Sequence, residues 1–345
     1  VTLKNINFIN GKDNIVGNSG GGAIHKVGAG TLIVSDSTFI NTSTAHGDGG
    51  AILSYNAGSI TVSNSTFINT TANGAGGAIC IYNYDVSGSN VTVINSTFNN
   101  NMASNTEGGA IAIIMEPSGS DGGIITVTNS RFNNNTAANV GDGGAIYVNI
   151  DNYEDNGYGS LIVTNSTFNN TRAPFGGAIR TGICGNIILT NSTFNNTIAY
   201  GGGGAIRSGY GNLTVINCIF NHTKSDNGGA ILSIDNVIVI NSIFNHATTE
   251  TVGGAIYGKQ GNVTVVDSKF TNCQSPNGKD ICVENYLTLL SNDYDGKTTY
   301  NNTEILCNSI INIDPESFEA VQLYINITPV NGVLNLPNRK YTATA

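Results

Sequence analysis

The amino-acid sequence predicts an all-β protein, a right-handed parallel β-helix of ten to eleven coils. Three observations lead to this prediction: a repeat of 25 to 35 residues, a strict apolar alternation inside each repeat, and an asparagine or aspartate at one fixed position of every copy. A repeat of this length is typical of a solenoid, in which each coil contacts only its neighbours. The right hand follows from the usual crossover preference between parallel strands.

Each repeat begins with a strand, a bend and a second short strand. The second strand is anchored on a phenylalanine, and apolar residues stand seven and five positions before it, as Leu32 and Val34 stand before Phe39. The residue between them is Thr or Ile, so the segment alternates with period two and has one buried face. Asn or Asp three positions before the phenylalanine suits a left-handed bend. Asn or His two positions after it opens a polar turn.

The tetrapeptide GGAI completes the repeat, and we predict that it forms a third strand. It begins at nine glycines, with GKDI at Gly278 as a degenerate tenth copy: Gly21, Gly49, Gly76, Gly108, Gly143, Gly176, Gly203, Gly228 and Gly253. Equivalent residues of stacked coils lie about 4.8 Å apart. We therefore expect one inward stack of Phe98, Phe132, Phe168 and Phe194, and we interpret the asparagine rows as structural ladders.

The C-terminal part of the chain departs from the repeat. A degraded copy places Leu287, Leu289, Ser291 and Tyr294 at the positions of the strand, the bend and the phenylalanine, and glycine then becomes rare. We predict two domains, a β-helix over 1–296 and a β cap or second β module over 297–345.

Composition excludes several classes of function. Only 11% of the residues are charged and the net charge is −9, which disfavours nucleic acid as a partner because phosphate binding needs clustered Lys and Arg. No apolar run reaches about 18 residues, so no transmembrane segment is predicted in this chain. The six cysteines match no zinc spacing, and no cofactor or metal is expected.

The segment "VINSTFNNNMASNTEGGAI", residues 93–111, shows the pairing of F-x-N with GGAI. This pairing resembles the repeats of chlamydial polymorphic outer-membrane proteins, and it is still more similar to the adhesin-like surface proteins of methanogenic archaea, since the chlamydial form is F-x-x-N. The resemblance covers residues 1–296 strongly and the tail weakly. It implies an extracellular protein attached to the cell wall or cell surface, an adhesive role without an established enzyme activity, and a partial immunoglobulin-like module in the tail.

Three successive coils carry insertions at the same point of the repeat, at 82–90, 115–123 and 149–160. We expect them to project side by side, as binding loops or as three simply solvated loops. Their tyrosines and carboxylates suit sugar stacking or, more weakly, Ca²⁺. The residues concerned are Tyr82, Tyr84, Asp85, Glu116, Asp121, Asp151, Tyr153, Glu154, Asp155 and Tyr158.

The residue after each GGAI should point outward if its isoleucine points inward. On adjacent coils this row contains Tyr147, Arg180 and Arg207. Two stacked arginines repel unless they are solvated or bridged. They therefore either hold a carboxylate or sulfate of an acidic glycan or are two independently solvated side chains.

The function predicted is non-catalytic attachment to a host or microbial cell-surface glycan or protein. The alternative is a polysaccharide lyase or hydrolase on a β-helix scaffold, which would need outward carboxylates. The regular strands offer almost none, and we interpret Asp48, Asp142 and Asp226 as turn formers because each stands just before a glycine or Asn-Gly.

Cysteines and sequons give two smaller expectations. Cys273 and Cys282 flank the last degenerate coil, where a disulfide would pin the end of the solenoid. Asn-x-Ser/Thr sequons recur along the chain, from Asn41 to Asn326. They fit an extracellular address, although an Asn- and Thr-rich repeat also generates them by chance.

Overall fold

The computed structural model describes residues 1–16, 20–84, 89–116, 122–150 and 159–294, and the backbone of strands within 305–307, 310–313 and 333–335. In these ranges the chain forms three sheets, and equivalent strands of successive coils pair in parallel. The fold is a parallel β-solenoid of about ten turns. The predicted right hand of the solenoid stays a prediction. The domain boundary at 296 and the separate C-terminal module also stay predictions, because most of 295–345 lies outside the described residues.

Sheet 1 contains two strand segments from most coils, one after GGAI and one before the first bend. Its described strands are Thr2–Lys4, Ile24–Val27, Leu32–Ser35, Ile52–Tyr55, Ser59–Ser63, Ile79–Asn83, Asn90–Ile94, Ile111–Met115, Ile124–Thr128, Ile146–Ile150, Ser160–Thr164, Ile179–Thr190, Ile206–Ile216, Ile231–Ser233, Val237–Ile240, Ile256–Gly258, Val263–Val266, Ile281–Val283, Leu287–Leu290, Ile305–Cys307, Ile310–Ile313 and Val333–Asn335.

Sheets 2 and 3 form the other two walls. The strands of sheet 2 carry the phenylalanines and are Asn7–Ile9, Thr38–Ile40, Thr66–Ile68, Thr97–Asn99, Arg131–Asn133, Thr167–Asn169, Thr193–Asn195, Ile219–Asn221, Ile243–Asn245, Lys269–Thr271 and Asp293–Tyr294. The strands of sheet 3 are Lys12–Asp13, Ser43–Thr44, Thr71–Ala72, Met102–Ala103, Thr136–Ala137, Arg172–Phe175, Ile198–Gly202, Lys224–Asn227 and Thr248–Val252.

The predicted asparagine bend is confirmed. The residues three positions before each phenylalanine have left-handed φ angles, 50° at Asn165 and 48° at Asp267. Asn also takes this conformation two positions after the phenylalanine, as at Asn170 with φ 54°. The segment predicted as a polar turn is therefore a second bend followed by the strands of sheet 3.

The predicted core is also confirmed. Phe98, Phe132, Phe168 and Phe194 are fully buried, and consecutive rings lie 4.8 Å apart between centroids with nearly parallel planes. The apolar residues seven and five positions before each of these four phenylalanines pack beside the stack in the same buried cluster. The repeat in the sequence thus reflects one core position that is filled identically in each coil.

The prediction that GGAI is a third strand is wrong, because its glycines form a corner and only the isoleucine begins a strand of sheet 1. The first glycine takes a positive φ, 62° at Gly176, which favours glycine. The second glycine faces the backbone of the next coil: a Cβ at Gly177 would overlap the Gly204 carbonyl oxygen. Both glycines are therefore required by backbone geometry.

We expect Gly177→Ala to lower the free energy of unfolding by about 1–3 kcal/mol, because the methyl group overpacks two coils whose spacing is fixed by their hydrogen bonds. Denaturant unfolding of the purified protein measures the change. Gly58→Ala is the control, since a Cβ there meets only ordinary contacts at 3.5 Å and beyond. Equal unfolding midpoints for the two variants would contradict the proposed corner geometry.

Candidate functional site

The candidate site is a band on the outer face of sheet 1, beside the glycine corners, which we call the outer strip. It is built from the residues just before and just after the glycine corners of successive coils and from three neighbouring tyrosines. Its members are Asp48, Leu53, Tyr55, Ala75, Cys80, Tyr82, Tyr84, Glu107, Ala112, Asp142, Tyr147, Phe175, Arg180 and Arg207.

Alternation along sheet 1 sets which side chains reach the strip. Ile146 and Val148 are buried in the core, so Tyr147 between them lies on the outer face. Tyr147 pairs in register with Arg180, and Arg180 with Arg207. The sequence prediction that these three side chains stack on adjacent coils therefore agrees with the strand register.

The expectation that both arginines point to solvent is wrong for Arg180, whose side chain is only 15% exposed. Its Nε lies 3.3 Å from Oδ2 of Asp142, an ion pair without hydrogen-bond geometry. The guanidinium of Arg207 instead stacks on Phe175, with Cζ 4.0 Å from the ring centroid. Among the described residues, Nε and Nη1 of Arg180 and Nε of Arg207 are buried without a hydrogen-bond partner. The two arginine side chains thus keep several N–H donors that no described residue accepts.

Electrostatics in this part of the strip are dominated by burial. Burial raises the pKa of Asp142, although the two guanidinium groups oppose the rise and Glu107 adds to it. Burial also raises the pKa of Tyr147 to about 12, again with a contribution from Glu107. For Arg207, burial and then the charge of Arg180 lower the pKa. An anion bound here would relieve the repulsion between the two arginines.

The other end of the strip is a shelf of stacked tyrosines. The ring centroids of Tyr55 and Tyr82 lie 5.0 Å apart, and those of Tyr82 and Tyr84 lie 5.7 Å apart. The hydroxyl of Tyr82 donates to Oδ2 of Asp48 at 3.1 Å, and Oδ1 of Asp48 accepts from the Ala75 amide at 2.7 Å. The shelf covers a small apolar cluster outside the main core, which consists of Leu53, Ala75, Cys80 and Ala112.

The structure brings together only part of the predicted site. Tyr82 and Tyr84 share the tyrosine shelf, while Tyr147, Arg180 and Arg207 form the arginine end. The strands that flank the three insertions pair in register, so the insertions leave sheet 1 at the same point. Seven predicted residues lie outside the described residues: Asp85, Asp121, Asp151, Tyr153, Glu154, Asp155 and Tyr158.

Sequence reasoning missed Asp48, Tyr55, Asp142 and Phe175. Asp48 and Asp142 were interpreted as turn formers, yet one accepts from Tyr82 and the other pairs with Arg180. A usable signal was present, because the residue before each glycine pair varies as much as the residue after GGAI. Both rows face the same corner, so the variation of either row indicates a surface that the fold leaves free.

The disulfide predicted between Cys273 and Cys282 is not formed in the structure. Cys273 belongs to the main core, and its thiol lies 3.8 Å from the Phe244 carbonyl oxygen. Cys282 alternates with the core residues Ile281 and Val283 and therefore lies on the opposite face of sheet 1. The wall of the solenoid separates the two sulfur atoms.

The geometry defines a parallel β-solenoid whose outer wall carries the strip, and one sequence match agrees with that class. Residues 129–149 match the family model of the Chlamydia polymorphic membrane protein repeat. In this copy, Asn135 follows Phe132 at the F-x-x-N spacing, is buried, and donates to the Phe98 carbonyl at 3.0 Å. No curated protein and no solved structure matches the chain. No helix in the described ranges is both long and apolar enough to cross a membrane.

Proposed function

We propose that this chain is part of an extracellular, non-catalytic adhesin-like protein, attached to a cell wall or cell surface, that binds acidic glycans on other cells through the outer strip. The observation that carries the proposal is the arginine end of the strip. There, two guanidinium groups on adjacent coils have buried nitrogen atoms without hydrogen-bond partners among the described residues. The chlamydial repeat match and the resemblance to archaeal adhesin-like proteins support the surface location.

Acidic sugars fit the strip because it offers two complementary kinds of contact. Tyrosine rings stack on the apolar faces of sugars, and their hydroxyl groups bind sugar hydroxyls. Guanidinium groups bind carboxylate and sulfate with charge-assisted hydrogen bonds. The tyrosine shelf and the arginine end lie on the same sheet, along successive coils, so one extended glycan chain can contact both.

The alternative function is cleavage of a polysaccharide at the same strip. It is favoured by Glu107 and Asp142, two carboxylates that precede the glycine corners of adjacent coils, since burial raises the pKa of Asp142 and the charge of Glu107 adds to the rise. Binding is the better proposal because Asp142 is held in an ion pair with Arg180 rather than directed outward. Incubation with acidic polysaccharides followed by size analysis decides between them, since only an enzyme shortens the polymer.

A glycan array of the purified protein tests the proposal directly. We expect enrichment of uronic acid-containing and sulfated glycans, with affinity that falls as salt rises because the attraction is partly between charges. Tyr82→Ala should weaken binding by removing the middle ring of the shelf. Tyr286→Ala is the control, since Tyr286 is an exposed tyrosine that lies several coils away from the strip. Equal binding by the two variants, or an array without acidic enrichment, would show that the outer strip is not an acidic-glycan site.

A further inference from the structure

Sheet 2 carries a second surface of different chemistry, a double row of carboxamides that we call the asparagine lane. One row follows each phenylalanine directly and the other occupies the second bend. The lane comprises Asn99, Asn133, Asn169, Asn195, Asn221 and Asn245 in the first row, and Asn100, Asn134, Asn170, Asn196, His222 and His246 in the second. Its middle coils line an open groove of about 650 Å³.

The first row is not required by the fold. It lies on extended strands, where asparagine is disfavoured, and not at a left-handed bend. Other coils place isoleucine at the same position, as at Ile40 and Ile68, and pair in the same register. Thr271 occupies it at the end of the array. Six consecutive coils therefore carry asparagine where the architecture accepts a better strand former.

The carboxamides are ordered by one another. Asn133 Nδ2 donates to Asn99 Oδ1 at 2.8 Å, and Asn169 Nδ2 donates to Asn133 Oδ1 at 2.8 Å. The next bond, from Asn195 Nδ2 to Asn169 Oδ1, measures 3.0 Å. A carboxamide has two N–H donors and two acceptor lone pairs, and the ladder uses one of each. Each amide in the ladder can thus offer one further donor beside one further acceptor.

This arrangement selects for a neutral, hydroxyl-rich polymer. A sugar hydroxyl both donates and accepts, so neighbouring hydroxyls complement the donor and acceptor of one carboxamide. The phenylalanine rings beneath the row are spaced 4.8–4.9 Å apart, and this coil spacing is also the spacing of the amides. The rise per sugar of an extended pyranose chain is close to this coil spacing. The lane contains only amides and two imidazoles, so it has no lysine or arginine to pair with an acidic ligand.

We infer that the asparagine lane binds a neutral linear polysaccharide laid along the solenoid axis, with successive sugars on successive coils. This site is on sheet 2, whereas the proposed acidic-glycan site is on sheet 1. The two sites are proposed to bind ligands of different charge. Experiments can therefore reject either proposal without affecting the other.

Native gel electrophoresis of the whole chain in gels that contain hydroxyethylcellulose, xyloglucan or glucomannan tests the inference. We expect retardation by at least one of these neutral polymers. The variant Asn169→Ile/Asn195→Ile, which copies the isoleucines of other coils, should bind on the order of 10-fold more weakly because it loses hydrogen bonds from two amides. The matched control is Thr167→Ile/Thr193→Ile, on the same strands but in the row beside the first bend.

Circular dichroism checks that each variant is folded, and Asn169→Thr/Asn195→Thr replaces the isoleucine variant if that one is not. Retardation of the control but not of the asparagine variant supports the lane. Three results would overturn it: no retardation of the wild-type chain by any polymer, equal loss in the control, or undiminished binding by the asparagine variant. N-glycans on the lane sequons Asn169 or Asn195 in protein from its natural source would also overturn it, because they would cover the groove.

Discussion

Phe168→Ala is expected to lower the free energy of unfolding by about 3–5 kcal/mol, the usual cost of a cavity that replaces a buried phenylalanine. Phe168 is fully buried and stacks on Phe132 and Phe194, with both ring centroids 4.8 Å away. Because a solenoid is stabilised by contacts between neighbouring coils, the cavity weakens two interfaces at once. Denaturant unfolding, followed by circular dichroism in the far ultraviolet, measures the effect.

Phe8→Ala is the control for that experiment. Phe8 is only partly buried and has one stacked ring neighbour in the described chain, Phe39 at 4.7 Å. Its loss should therefore cost clearly less than the loss of Phe168. If both substitutions shift the unfolding midpoint equally, the ring stack is not what couples the coils.

The core could be predicted from the sequence because a solenoid repeats one set of environments. Once Phe39 was aligned with its equivalents, alternation alone placed Leu32 and Val34 inside, and both are fully buried. Sheet 3 could not be predicted in this way. Strands such as Thr71–Ala72 have two residues and one buried small side chain, which is too short for a periodic signal. The glycine corner was mistaken for a strand because its requirement comes from the next coil's backbone.

The candidate site was predictable to the extent that it depends on alternation within one strand. That rule placed Tyr147 and the two arginines on the outer face, whereas Tyr82 was predicted as part of an insertion. It did not give the partners of these side chains, because Arg180 reaches Asp142 in the preceding coil, and such contacts depend on how coils stack. An aspartate before glycine is also an ordinary turn signal, and this local explanation concealed the contact between coils.

The Arg180→Ala/Arg207→Ala variant should lose on the order of 10-fold or more of its affinity for dextran sulfate, a permanently charged probe of the proposed glycan site. Charge-assisted hydrogen bonds contribute about 1.5–3 kcal/mol each, and this variant removes those of two guanidinium groups. Alanine is compatible with the fold, since Ala112 occupies the equivalent position of an earlier coil. Titration calorimetry measures the affinity. Unchanged binding by a folded variant would remove the arginine end from the site.

The same probe should bind the wild-type protein more tightly as the pH falls, because Asp142 competes with the ligand for Arg180. Burial raises the pKa of Asp142 above the ordinary value of about 3.9. As pH falls through this raised pKa, the carboxyl group takes up a proton, and Arg180 loses its internal anion while the sulfates keep their charge. In the same range the folded state binds more protons at this group than the unfolded state, so protonation of Asp142 also favours folding.

Asp142→Asn should bind dextran sulfate tightly already at neutral pH and lack this pH dependence, whereas the control Asp226→Asn should retain it. Two results would show that Asp142 does not control access to the two arginines. One is a wild-type affinity for dextran sulfate that decreases as the pH is lowered, and the other is a pH profile of Asp142→Asn that equals the wild-type profile.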